Sequence, residues 1–295
     1  MRTPLPWEGA DELYLCGTNS EMASLIIVLT GIAVMWGIIV MAYRSFRRKK
    51  KQVVSLPQGY KEILTRHVGF YRALDADGRA RFEKRLEVLM GDIRIHGVKI
   101  DIDAVDRLLV AASGVIPTFG FPEWKYNNLT DVLLYGEAFD TDHFASEGNR
   151  QDVIGVVGSG ALERVMILSK PALHQGFAHI AGKENTGIHE FVHLLDKADG
   201  AVDGLPEALL ARQDIAPWLH LLTKNIHDIQ AGHSDINTYA AKNPAEFFAV
   251  TAEYFFKRPD QFRQTHPDLY PVMVQIFQQE PGVDPLLHQD DIHPA

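Results

Sequence analysis

Residues 186–196 read TGIHEFVHLLD, with His189 and His193 four apart and Glu190 directly after the first histidine. On an α-helix, residues four apart are turned by only about 40° and stacked one turn apart, so the two imidazoles can address one ion. Glu190 then projects beside that ion, where it can hold an attacking water. Ile188, Phe191, Val192, Leu194 and Leu195 surround the three polar residues, so the helix is expected to be buried on most sides. A chain with 13 histidines meets H-E-x-x-H by chance in roughly a few per cent of cases. The metal reading is therefore preferred to an apolar helix that happens to carry two histidines.

Catalytic zinc usually takes three protein ligands and keeps one position open. Asp199 lies six residues after His193, where some H-E-x-x-H enzymes carry a third histidine, but Asp196 stands where their turn needs glycine. Stronger candidates lie in TYAAKNPAEFFAVTAEYFF, residues 238–256. There Glu246 and Glu253 are seven apart and share a helix face. Asn243-Pro244-Ala245-Glu246 also reads as a helix start, with Asn243 as N-cap and Glu246 at the capping-box position. Spacing alone does not choose between these roles. His174, His179, His227 and His233 are read as surface or packed histidines.

Around this core the chain reads as an α+β domain. Residues 60–74, 79–93 and 102–116 show helical apolar spacing. DVLLY (131–135), VIGVV (153–157) and RVMIL (164–168) read as short strands of a small sheet, with Gly158-Ser159-Gly160 beginning the loop between the last two. Further helical segments are expected to start at Pro171, Lys183, Pro206, Ala216, Asn243 and Pro267, with residues 199–206 forming a loop.

The N-terminal region differs. Residues 23–43, ASLIIVLTGIAVMWGIIVMAY, carry no charge, and a helix of that length spans about 30 Å, the thickness of a bilayer's hydrocarbon core. RSFRRKKK (44–51) follows at once, whereas acidic residues dominate before it. Basic flanks stay in the cytoplasm, so a single-pass inner-membrane protein is expected, with its N-terminus outside and its larger part in the cytoplasm. A cleaved signal peptide fits less well, because the apolar run is too long and no basic region precedes it. The expected layout is an extracytoplasmic N-terminus (1–22), a transmembrane helix (23–43), a basic juxtamembrane linker (44–58), one globular domain (59–281) and a flexible tail (282–295). The single cysteine, Cys16, excludes an intrachain disulfide. The net charge of −9, with no basic stripe beyond Lys51, argues against nucleic acid as a partner.

HEFVHLLD, followed some fifty residues later by INTYAAKNPAEFFAVTAEYFF, resembles the Mlc titration factor A family of zinc peptidases, relatives of the catalytic domain of anthrax lethal factor. The resemblance covers most of the part after the apolar run. It implies a mainly helical, zincin-like metallopeptidase domain with a small β-sheet. It also implies one Zn²⁺ bound by His189, His193 and Glu246, with Glu190 as general base and Tyr239 donating a hydrogen bond to the oxyanion. Glu253 would orient a ligand histidine or pack nearby. In such folds an edge strand pairs with extended substrate, and residues 164–169 are expected to be that edge. The better-known members are soluble, so the anchor here is extra, and their partner need not be this chain's partner.

These readings make the chain a membrane-anchored zinc peptidase of aminopeptidase-like or narrow specificity, acting on a peptide or protein. A second class is a regulatory protein that sequesters a cytoplasmic transcription factor or signalling protein, with peptidase activity secondary. An intramembrane protease is disfavoured, because the H-E-x-x-H lies well beyond the apolar span.

Overall fold

The computed structural model describes residues 55–136, 155–157, 164–178 and 182–281, all within a unit spanning Val53–Ala295. The expected transmembrane helix, its flanks, the Gly158-Ser159-Gly160 loop, His179 and the C-terminal tail lie outside the described residues. Among the described residues, no helix is long and apolar enough to cross a membrane.

The first expected helix is two. Helix α1 (Tyr60–His67) and helix α2 (Gly69–Ala73) are separated by Val68, whose backbone is extended. The break has a packing reason. Leu64, Val68 and Tyr71 share one helical face, but Phe70 lies on another, and all four are buried. A straight helix could not turn Phe70 inward as well. Helix α3 (Ala76–Asp92) starts at Asp75, whose carboxylate accepts from Gly78 N at 2.7 Å. Helix α4 (Ala104–Val115) starts with a reciprocal capping box between Asp103 and Asp106.

A sheet of order β1-β2-β4-β3 is built from β1 (Arg94–Val98), β2 (Asp131–Tyr135), β3 (Gly155–Val157) and β4 (Val165–Ser169). β1, β2 and β4 run parallel, and β3 pairs antiparallel with β4. β1 was not expected, because RIHGV shows neither clean alternation nor β-branched enrichment. Its register comes from pairing with DVLLY. The edge-strand expectation for residues 164–169 is corrected: β4 lies between β2 and β3, with both backbone edges paired, and among the described residues β1 and β3 are the edges.

The remaining helices are α5 (Lys170–Phe177), α6 (Thr186–Asp196), α7 (Ile215–Gln230), α8 (Pro244–Lys257), α9 (Pro259–Thr265) and α10 (Leu269–Phe277). The segment from Pro206 is not a helix. It forms turns through Leu210 and then a 3-10 turn at Arg212–Asp214. Leu209 N and Leu210 N both donate to Pro206 O, and Asp199 Oδ2 accepts from Glu207 N, so the segment makes a single turn that does not continue.

Helices α6 and α8 form the centre. α6 packs against α4, α8 and strand β3, and α8 packs in turn against a 3-10 turn at Thr238–Ala241. Phe247, Phe248, Phe255 and Phe256 of α8 are buried with Phe277 of α10 in one aromatic core. Gly187 permits the close approach of α6 to α4, because a Cβ there would collide with Ser113 Oγ.

Candidate metal centre

Helix α6 begins where Asn185 caps it, Oδ1 accepting from Ile188 N at 3.0 Å. One turn later His189 and His193 emerge from an otherwise buried helix, and Nε2 of one lies 3.0 Å from Nε2 of the other. Helix α8 begins at Asn243, whose Oδ1 accepts from Glu246 N at 2.9 Å, with Pro244 in the first turn. The Glu246 backbone therefore serves the cap, while its side chain turns to the histidines. Oε2 lies 3.0 Å from His189 Nε2 and 3.5 Å from His193 Nε2. The sequence left the Glu246 carboxylate between two roles, capping box and ligand; only the Asn243 half of the box forms, and the carboxylate lies with the histidines.

These three residues form the one group of potential metal-ligating side chains found among the described residues. Ligand atoms about 2.0–2.2 Å from one tetrahedral ion lie roughly 3.3–3.6 Å from each other, close to the separations seen. Glu246 Oε2 is buried and, despite its proximity to both imidazoles, makes no directed hydrogen bond among the described residues. Two imidazole nitrogens and a carboxylate oxygen, converging in a partly buried place with that oxygen making no directed hydrogen bond, fit a divalent cation of the zinc type.

Glu253, two turns beyond Glu246, lies behind His189. Its Oε1 is 2.7 Å from His189 Nδ1, and its Oε2 accepts from Asn185 N. The carboxylate thus grips both the imidazole and the start of the helix that carries it. With Nδ1–H donating to Glu253, His189 would turn its Nε2 lone pair to a bound cation that displaces the Nε2 proton. Burial opposes a charge on His189, but Glu253 and Glu246 outweigh it and hold the imidazole pKa well above its ordinary value. Burial also raises Glu246, yet its pKa ends far below the carboxylate range because of the two histidines.

Glu190 is buried beside the pair, and this burial raises its pKa, offset in part by His189 and His193. Tyr239 stands on the 3-10 turn that abuts α8. Its ring centroid is 6.3 Å from that of His189 and its hydroxyl 3.4 Å from Glu246 Oε1. Partial burial and the Glu246 charge push its pKa up to about 12, so the phenol keeps its proton. Lys242 Nζ lies 3.5 Å from the same hydroxyl, a neighbour not read from the sequence.

Other candidates fall away from the centre. Asp199 accepts from Ala201 N and Glu207 N in the loop after α6 and is not among the converging groups. His174 Nε2 is 2.6 Å from Asp106 Oδ1, as a partner of a buried carboxylate that also holds Lys170. His227 and His233 are exposed.

Comparison with known proteins places these observations in a family. Residues 43–278 match the model of the glucose-regulated metallo-peptidase M90 family. Among curated proteins, slr2042 of Synechocystis sp. is 26% identical over 271 residues, covering 88% of this chain and 97% of that protein. Mlc titration factor A of Salmonella arizonae is 29% identical over 217 residues, covering 68% of this chain and 79% of its own. The same protein of Salmonella paratyphi B is also 29% identical over 217 residues, covering 68% of this chain and 75% of that protein.

Proposed function

Because the chain belongs to the glucose-regulated metallo-peptidase M90 family, we propose that it is a zinc-dependent peptidase of narrow or aminopeptidase-like specificity. The observation that carries this reading is the convergence of His189 Nε2, His193 Nε2 and Glu246 Oε2 with Glu190 buried alongside. His189, His193 and Glu246 would hold the ion, which when bound supplies Lewis-acid polarisation of the scissile carbonyl and a more acidic water.

The chain's own groups do the rest. Glu190 takes a proton from the attacking water and delivers it to the leaving amine nitrogen. A buried carboxyl with a raised pKa is suited to both transfers. Tyr239, protonated, donates to the oxygen that becomes negative as water adds to the carbonyl. Glu253 keeps the His189 ring in the tautomer whose Nε2 lone pair faces inward. Extended substrate adds to the sheet at β3, an edge strand among the described residues and the one packed against α6.

We further propose that residues 23–43 anchor this domain to the inner membrane with the domain in the cytoplasm, as the uncharged run and the following basic residues suggest. The Salmonella relatives are named for titrating Mlc, which favours a second reading in which this chain binds a protein partner, with peptide hydrolysis secondary. Turnover separates the two. The full chain in detergent should contain about one zinc per molecule and cleave a peptide library, and Glu190→Gln should keep the metal and lose cleavage. Stoichiometric zinc with no turnover on any peptide would favour the binding role.

A further inference from the structure

Tyr239 is exposed and sits on a turn of only four residues, which by itself is too short to be rigid. Something outside the turn must hold it. Immediately before it, Asp235 gathers partners from three directions. Its Oδ2 accepts from Lys183 Nζ at 2.7 Å and from Tyr254 OH at 2.8 Å, and its Oδ1 is 2.6 Å from His266 Nε2. Lys183 belongs to the lead-in of α6, Tyr254 to α8, and His266 to the residue that follows α9. The Lys183 ammonium also lies 4.3 Å above the Tyr254 ring.

The clamp continues towards the tyrosine. Ile236 is buried. Asn237 Nδ2 donates to Glu184 Oε1 at 3.3 Å, while its Oδ1 accepts from Tyr239 N at 2.9 Å. Lys257 Nζ, at the end of α8, donates to Glu184 O at 2.7 Å. The segments bearing His189, Glu246 and Tyr239 are thus tied to one another at Asp235 and Lys183-Glu184.

Resting on the peptidase reading above, we propose that Asp235 is a positioning residue that fixes the Tyr239 turn over the metal triad, working through Asn237 and against Lys183. Burial raises the Asp235 pKa, but hydrogen bonds from Lys183, Tyr254 and His266 take it down to about 2, so the carboxylate stays charged at neutral pH. Asparagine keeps its volume but replaces an acceptor oxygen with a donor that opposes Lys183 and Tyr254.

The test is a double-mutant cycle on the full chain in detergent, with hydrogen exchange and zinc content measured alongside. In Asp235→Asn, amides 236–241 should exchange about tenfold faster while those of α6 and α8 keep their protection. Zinc content should not change. The kcat should fall about tenfold with KM within about twofold, and Asp235→Asn should slow the Tyr239→Phe protein no further, because the lost step has already gone. Lys183→Met should reproduce both effects if Asp235→Asn folds poorly. Unchanged exchange in both variants, or an equal additional loss of kcat in the Tyr239→Phe background, would overturn the proposal. If the unmutated protein cleaves nothing, the peptidase reading fails, and exchange at 236–241 still decides whether Asp235 holds the turn.

Discussion

At the scale of single residues, the site separates holding an ion from using it. Glu246→Ala leaves two imidazoles, so zinc content and turnover should fall together. Tyr239→Phe removes one hydroxyl 3.4 Å from Glu246 Oε1. Zinc content should stay near normal while kcat drops about 10²-fold or more. Glu253→Gln keeps one acceptor for His189 Nδ1 and should cost about tenfold in metal affinity or activity. Full zinc and turnover in Glu246→Ala, with neither in Glu253→Ala, would exchange these roles. Asp196 gives a different readout. It is fully buried, one oxygen accepts from Gly204 N, and the other has no hydrogen-bond partner among the described residues. Burial pushes its pKa from 3.8 up to about 6. The folded state therefore binds more protons than the unfolded state between those values. The stability contributed by the neutral carboxyl is present below about pH 4 and lost as pH rises through about 6, by up to roughly 3 kcal/mol. Asp196→Asn should flatten that slope in urea titrations across the window. An unchanged slope would mean that the Asp196 carboxyl titrates normally.

At the scale of elements, the start of α8 decides where Glu246 stands. Gly204 lies against it, with φ +76°, and a Cβ there would collide with Pro244 O. Its N–H is held by Asp196 at 2.8 Å and its carbonyl accepts from Trp218 Nε1 at 2.7 Å. The loop between α6 and α7 thus packs its backbone onto the first turn of the ligand helix. Gly204→Ala meets both a positive φ and a backbone collision, so it should destabilise by more than about 1 kcal/mol and displace Glu246. Melting temperature and zinc affinity should fall together. Retention of both would show that the loop has room to shift without moving α8. Asn243→Ala should cost about 1 kcal/mol from the lost cap alone, with a smaller effect on zinc.

At the scale of the whole molecule, the described helices and sheet enclose one core, from Leu64 of α1 to Phe277 of α10. Residues 52–295 are therefore expected to fold without the segment before them, giving a soluble protein with a single cooperative melt. Aggregation of that fragment, beside clean detergent extraction of the full chain, would show that the apolar run is part of the fold. For the proposed topology, a reporter fused after Ala295 should read as cytoplasmic. A periplasmic signal would reverse the orientation and remove the basis for a cytoplasmic partner.

By itself the sequence determined what depends on neighbours a few residues apart. The i,i+4 histidines, the Asn243 cap and the strand at DVLLY are local, and each is where its local signal put it. Spacing offered Glu246 and Glu253 as candidate ligands, but the choice of Glu246 and the role of Tyr239 came only through the likeness of HEFVHLLD and INTYAAKNPAEFFAVTAEYFF to a family, since nothing within either segment encodes the distance between them. Tertiary structure decided the rest. Strand β1 exists because β2 offers it a ladder, and residues 165–169 lie inside the sheet because β3 returns antiparallel beside them. Helix α1 stops at Val68 because Phe70 must also face the core. Glu253 meets His189 Nδ1, and Asp235 meets Lys183, Tyr254 and His266, across separations of 64, 52, 19 and 31 residues. Such contacts require the packing of α6 against α8 and its aromatic core. Burial and long-range hydrogen bonding are properties of that packing, so no local periodicity carries them.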